Sequence, residues 1–150
     1  MAENLSGAMN IQQIMEVLPH RPPFLLVDKI VYSDNLNSAR GVKNLTAGEF
    51  FFQGHYPGHP ELPRTILLEI MAQMGAACVL NEEKNKGKYI LFASIDKCTF
   101  GRAAVPGDVL DLSVEMVSMR RGMGKMKAKC HVNDEQIAEA VLMFALSDQD

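Results

Sequence analysis

Hydrophobic positions along the chain follow two different periods, and the change from one to the other divides it. Near the start, Ile11, Ile14, Met15 and Leu18 recur at i, i+3, i+4 and i+7, which predicts a short helix over about 10–18. Pro19, Pro22 and Pro23 stop it. Phe24–Tyr32 is rich in strand-forming residues, and about 38–46 reads as its partner strand. Residues 53–63 hold three prolines and two glycines and predict an irregular loop. A second helix is expected from Pro63 to about Glu83, with proline at a first position where its missing N–H is no loss. That helix is apolar nearly all round, the mark of a buried helix. Its polar exceptions Thr65, Glu69 and Gln73 recur every four residues and share one narrow stripe.

Beyond the helix the period becomes two. Leu110, Leu112, Val114 and Met116 alternate with Asp111, Ser113 and Glu115, and Met126, Ala128, Cys130 and Val132 alternate with Lys125, Lys127, Lys129 and His131. Asn133 and Asp134 turn the chain into a last strand, Gln136–Ser147. With Tyr89–Phe100 these make four consecutive strands, so an antiparallel sheet packed on one helix is expected, an α+β domain over 10–150 behind a flexible leader at 1–9.

Composition narrows the function classes. A chain 47% apolar and 22% charged folds. A net charge of −3 excludes nucleic-acid binding by bulk charge. Cys78, Cys98 and Cys130 stand far apart, which fits a reducing compartment and excludes a cysteine zinc site. No secretory signal is visible, and the apolar run Ile66–Leu80 is broken by Glu69 and Gln73 and too short to span a bilayer. The expected setting is the cytoplasm, without membrane insertion. Ten methionines read as soft core filler or as an adaptable surface for a ligand.

The candidate chemistry lies around the start of the long helix. Glu69 sits two turns in among Leu67, Leu68, Ile70 and Met71, where burial favours its protonated, proton-donating form. A Glu simply hydrogen-bonded to Gln73 or to a neighbouring subunit fits the same pattern. His55 lies in Gly54-His55-Tyr56-Pro57-Gly58-His59-Pro60, whose prolines restrict the backbone after it. An imidazole there can accept a proton near neutrality. The spacing to His59 invites a metal, but Pro57 prevents a helix carrying both, and no third ligand is evident. The N–H groups of Arg64 and Thr65 follow Pro63 without intrahelical acceptors and can stabilise charge on a carbonyl oxygen. A base, an oxyanion site and an acid suit proton abstraction beside a carbonyl, followed by loss of a β-hydroxyl as water.

These residues carry a family resemblance. His55-Tyr56-Pro57-Gly58-His59-Pro60-Glu61-Leu62-Pro63, followed by Leu67-Leu68-Glu69-Ile70-Met71-Ala72-Gln73, resembles the signature of the FabZ-type 3-hydroxyacyl-[acyl-carrier-protein] dehydratases. Leu18-Pro19-His20-Arg21, Val105-Pro106-Gly107-Asp108, Arg120-Arg121-Gly122 and Ala138-Glu139-Ala140 extend it over about residues 10–147. The resemblance implies a hot-dog fold, a curved antiparallel sheet wrapped around one long buried central helix. It also implies dehydration of (3R)-hydroxyacyl-carrier-protein thioesters to trans-2-enoyl thioesters in fatty-acid biosynthesis, with no metal or redox cofactor. His55 would remove the α-proton and Glu69 of a partner subunit would help the hydroxyl leave, in a homodimer that can build a hexamer as a trimer of dimers. Tyr56, Leu68, Met71, Gln73 and Met74 are the candidates for lining an acyl tunnel. The chain departs from the family at Pro63-Arg64-Thr65, where Pro-Gly-Val is usual, and at Pro22, where an aromatic residue is common.

An acidic carrier protein would be steered by a basic patch, for which Lys97, Arg102, Arg120, Arg121 and Lys125 are candidates, Lys125 sharing a strand face with Lys127 and Lys129. Two alternatives remain. One is a thioesterase on the same fold, with Glu69 activating water. The other is a non-catalytic acyl-binding homologue whose site Arg64 has compromised.

Overall fold

The computed structural model describes residues 7–34 and 37–148. Helix α1 (Ile11–Val17) begins where Asn10 accepts from the Gln13 N–H and the Gln13 side chain accepts from the Asn10 N–H, a reciprocal cap that satisfies two otherwise orphaned donors. The expected leader stops short of residue 9: Met9 is buried and exchanges two backbone hydrogen bonds with Ile30, while residues 1–6 lie outside the described residues.

Strands β1 (Lys29–Asp34) and β2 (Ser38–Asn44) pair antiparallel. The strand expected from Phe24 starts only at Lys29. The preceding residues bond to the long helix instead: Gln73 accepts from the Leu26 N–H at 2.9 Å and donates to the Phe24 carbonyl at 2.9 Å. Helix α2 (Arg64–Leu80) ends a turn before the expected Glu83, because the buried Asn85 turns back and donates to the Val79 carbonyl at 2.9 Å.

Strands β3 (Tyr89–Phe100), β4 (Val109–Arg120), β5 (Met123–Val132) and β6 (Glu135–Ser147) complete one antiparallel sheet, ordered β1-β2-β4-β5-β6-β3. Asn133 and Asp134 turn as expected, both with positive φ (49° and 65°), the conformation that joins twisted strands in a two-residue hairpin. Register shifts leave an extra residue in β1, β3, β4 and β6, and such bulges bend a sheet. The inward rows Leu110-Leu112-Val114 and Met126-Ala128-Cys130-Val132 are buried against α2, with the Lys125-Lys127-Lys129 row on the outside. This is the hot-dog arrangement.

Glycines allow the helix to sit close to the sheet. A Cβ on Gly75 would lie 2.2 Å from the Met126 sulfur, and one on Gly41 would lie 2.5 Å from the Met74 sulfur. Methionine thioethers occupy those gaps, which is the filler role. The sheet, α1 and the 24–27 segment cover most of α2 within one chain. The large apolar surface left bare lies instead on the edge strand β3, where Tyr89, Leu91, Phe92 and Ile95 are all exposed, Leu91 at 57%.

Candidate active site

His55 stands in a loop that holds its own shape. Tyr56 and His59 exchange two backbone hydrogen bonds at 2.9 Å, the Glu61 N–H donates to the His55 carbonyl, and the Leu62 N–H donates to Ala104. The imidazole Nδ1 lies 2.8 Å from the Glu61 carbonyl oxygen. A carbonyl only accepts, so Nδ1 carries the proton and Nε2 presents its lone pair. The Tyr56 ring stacks on the imidazole at 4.2 Å. The other histidine of the loop, His59, places its Nε2 2.7 Å from Glu61 Oε1.

His55, Tyr56, Pro63, Arg64 and Thr65 line one pocket at the start of α2. Pro63 caps the helix without a side-chain hydrogen bond, and the first backbone bond there runs from the Leu67 N–H to the Pro63 carbonyl. The Arg64 and Thr65 N–H groups are thus open to an incoming oxygen. The Arg64 side chain folds away from them: its Cζ sits 4.9 Å from the centre of the Phe100 ring, and Nη2 is 3.4 Å from the Gly101 carbonyl. The 101–108 loop below is held by Asp108, which accepts from the Val105 N–H and from Arg102 at 2.8 Å. Partial burial pushes the Asp108 carboxyl up, but those hydrogen bonds outweigh it and hold the group below the usual carboxylate range.

Glu69 lines a second pocket. The stripe Thr65-Glu69-Gln73 descends from solvent into the core: Thr65 is exposed, the Glu69 side chain is 25% exposed and Gln73 is buried. Glu69 Oε1 accepts from Gln73 Nε2 at 2.9 Å, so Gln73 uses both amide hydrogens and its oxygen. The carboxyl is therefore less deeply buried than the sequence predicts, and it is partnered. Its pocket is lined by Ala72, Gln73 and Ala76 of α2, Ile90 and Phe92 of β3, and Leu142 and Phe144 of β6, with His20 at its side.

The expected tunnel residues divide. Gln73 lines the Glu69 pocket and Tyr56 the His55 pocket. Leu68 is half-buried against the core. Met71 and Met74 are fully buried core residues; at 100° per residue they lie about 140–200° around the helix from Glu69. The face that Glu69 shares runs through Ala72, Gln73 and Ala76, the i+3, i+4 and i+7 positions, and the methionines on the pocket are Met126 and Met143. His20, a member of the Leu18-Pro19-His20-Arg21 motif, is 3.7 Å from Glu69 through its Nε2.

The docking candidates are also spread. Lys125 pairs with Asp96 at 2.5 Å, Lys127 and Lys129 with Glu139, and Arg102 with Asp108 and Glu135. Lys97, Arg120 and Arg121 are exposed and make no ion pair among the described residues. No helix among those residues is long and apolar enough to cross a membrane.

Comparison with known proteins joins this geometry to a family. The FabA-like domain matches residues 18–141. The 3-hydroxyacyl-[acyl-carrier-protein] dehydratase FabZ of Alkaliphilus metalliredigens is 48% identical over 138 residues, 92% of this chain and 94% of the relative. That of Bacillus cereus is 46% identical over 141 residues, 94% of this chain and 98% of the relative. Among solved structures, the dehydratase heterocomplex ApeI:P from Xenorhabdus doucetiae superposes with a TM-score of 0.79 at 16% identity over 91% of each chain. A hypothetical thioesterase with coenzyme A from Streptococcus pneumoniae superposes at 0.61 and 13% identity, over 80% of this chain and 85% of that one. At such identities these structures speak for the fold alone. With the FabA-like domain spanning most of its length and FabZ relatives nearly half identical to it, the chain belongs to the FabA-like family and, within it, to the FabZ-type 3-hydroxyacyl-[acyl-carrier-protein] dehydratases.

Proposed function

We propose that the protein dehydrates 3-hydroxyacyl thioesters of the acyl carrier protein in fatty-acid biosynthesis, with His55 of one chain and Glu69 of a partner chain in each active site. His55 Nε2, freed by the Nδ1 bond to Glu61, takes the proton from the carbon beside the thioester. The Arg64 and Thr65 N–H groups stabilise the charge that moves onto the thioester oxygen. Glu69 donates a proton to the departing hydroxyl, which leaves as water. The pocket beside Glu69, walled by alanine, isoleucine, leucine and phenylalanine, suits an aliphatic acyl chain. The exposed cations Lys97, Arg120 and Arg121 suit the approach of an acidic carrier. Three unpaired cysteines fit a cytoplasmic setting.

The observation that carries subunit sharing is where the two pockets meet β3. The His55 pocket adjoins the end of that strand, through Arg64 on Phe100. The Glu69 pocket takes its wall from Ile90 and Phe92, near the beginning. An exposed apolar edge strand invites pairing with another strand, and a two-fold dimer uses the same patch on both copies. Two β3 strands paired antiparallel about Ile95 set the beginning of one against the end of the other. That places the Glu69 pocket of each chain against the partner's His55 pocket and covers Leu91 and Ile95.

The test is complementation. His55→Ala and Glu69→Gln homodimers are each expected to lose nearly all formation of 2-enoyl product, read by mass on a 3-hydroxyacyl-carrier-protein. Random mixed dimers should regain about a quarter of wild-type activity, since half the dimers carry one intact site of two. No recovery on mixing, with mixed dimers demonstrably formed, would sink the shared site. Release of free acid and carrier thiol in place of loss of water would overturn the dehydratase reading in favour of a thioesterase.

A further inference from the structure

The two oxygens of Glu69 are not equivalent. Oε1 accepts from Gln73 at 2.9 Å and faces His20 Nε2 at 3.7 Å, while Oε2 has no hydrogen bond among the described residues. A carboxylic proton goes to the oxygen that is not already accepting, so the neutral acid carries it on Oε2. Oε1 is the oxygen turned toward Gln73 and His20.

His20 is placed with unusual care for a residue in a proline-rich turn. Arg21 next to it donates to the carbonyls of Met15, Leu18 and His20 itself, at 2.9, 2.8 and 2.7 Å. Leu18 is buried on one side, and the Phe24 ring lies 6.1 Å from the imidazole on the other. His20 lines the Glu69 pocket. Its Nδ1 is buried and has no hydrogen-bond partner. A proton there would have no acceptor, whereas a proton on Nε2 points toward a carboxyl oxygen. The less costly tautomer therefore carries its hydrogen on Nε2, facing Glu69.

We infer that His20 is a positioning residue for Glu69, one whose Nε2–H closes onto Oε1 as Oε2 gives up its proton. The inference rests on the dehydratase reading. In that step the α-carbon C–H bond breaks and its proton goes to His55 Nε2, the electron pair becomes the new C=C bond, and the β-carbon–oxygen bond breaks. The departing oxygen keeps that pair, takes the Oε2 proton and leaves as water, and Glu69 is left a carboxylate. At 3.7 Å the His20 contact is longer than a hydrogen bond in the resting state. It strengthens only as negative charge develops on the carboxyl, so it lowers the barrier without tightening substrate binding.

Kinetics on a 3-hydroxyacyl-carrier-protein test this. His20→Ala is expected to lower kcat about tenfold, the loss of one charge-assisted hydrogen bond, with KM within about twofold. His20→Gln, whose amide N–H falls near the position of Nε2, should recover most of the rate. Free imidazole should accelerate His20→Ala and leave Glu69→Gln unchanged. His20→Leu keeps the packing against Phe24 and should repeat the loss of kcat if the alanine variant folds poorly. An unaltered kcat in folded His20→Ala or His20→Leu, or a loss that neither glutamine nor imidazole reverses, overturns the inference while leaving the dehydratase reading standing. Full activity in Glu69→Gln would instead remove the reading on which it rests.

Discussion

The two halves of α2 share one helix and have opposite fates: three of the six residues from Arg64 to Glu69 are apolar, against nine of the eleven from Ile70 to Leu80. From Ile70 to Leu80 every residue except Ala72 is buried, and the helix packs so closely on the sheet that methionine sulfurs fill the gaps over Gly41 and Gly75. From Arg64 to Glu69 only Leu67 is buried, the backbone N–H groups of the first turn are open, and two pockets meet the helix. Neighbouring turns of one element are thus placed differently: the second half anchors the domain, and the first lines the candidate site at a fixed height above that anchor. Apolar content separates the halves in degree, and the polar stripe marks the passage between them, because it enters from solvent at Thr65 and is closed off at Gln73.

The boundary between the halves falls between adjacent residues, so it can be broken there. Glu69→Gln keeps the shape of the side chain and an acceptor for Gln73, and should lower turnover by about two to four orders of magnitude while moving stability by no more than about 0.5 kcal/mol. Ile70→Ala, one position on, should cost about 2–5 kcal/mol of folding stability through the cavity it leaves, with turnover per folded molecule close to wild type. Urea unfolding and product formation on the same preparations provide both numbers. A large stability loss in Glu69→Gln, or an activity loss in fully folded Ile70→Ala, would show that anchor and site are not separate.

The sequence pattern anticipates the elements well because burial writes its period into the chain: the rows of β4 and β5 and the turn at Asn133-Asp134 fall where alternation puts them. It fails where a single side chain redirects the backbone. Gln73 draws residues 24–26 away from the sheet, and Asn85 ends α2 early; neither leaves a periodic trace. For the candidate site, His55, Glu69 and the open N–H groups of Arg64 and Thr65 are suggested by proline spacing and by a charge in an apolar run. The pocket wall is readable in part. Counting i+3, i+4 and i+7 from Glu69 leads to Ala72, Gln73 and Ala76 and away from Met71 and Met74, whereas Ile90, Phe92 and Phe144 come from strands whose register no local pattern reveals. Arg64 stands where the resemblance leads one to expect glycine, and its side chain rests on Phe100, clear of the backbone donors.

Gln73 belongs to both halves, which makes it the sharper probe. Gln73→Leu preserves size but removes the donor to Glu69 and leaves the Leu26 N–H and the Phe24 carbonyl without their partner. Each buried group so orphaned costs roughly 1–3 kcal/mol. Both stability and turnover should therefore fall together, unlike either neighbouring variant. Loss of stability with unchanged kcat would mean that Glu69 needs no help from Gln73 to stay in place.

The smallest effect tests how firmly the second half is closed. Cys78 lies on that half, buried, with its thiol donating to the Met74 carbonyl at 3.2 Å, and burial pushes its pKa up to about 12. Cys130, on the facing strand β5, is likewise raised to about 12 by burial and by the nearby carboxylates of Asp111 and Asp108. The thiolate is the reactive form, so neither side chain should react with an aromatic disulfide reagent at pH 8 while the protein is folded. Both should react once urea unfolds it. Because global unfolding alone exposes them, their labelling rate should be proportional to the fraction unfolded and should rise in Ile70→Ala but not in Glu69→Gln. Fast labelling of Cys78 in the folded protein would mean that the C-terminal half of α2 opens locally, and that the helix is not the rigid support on which the placement of Glu69 depends.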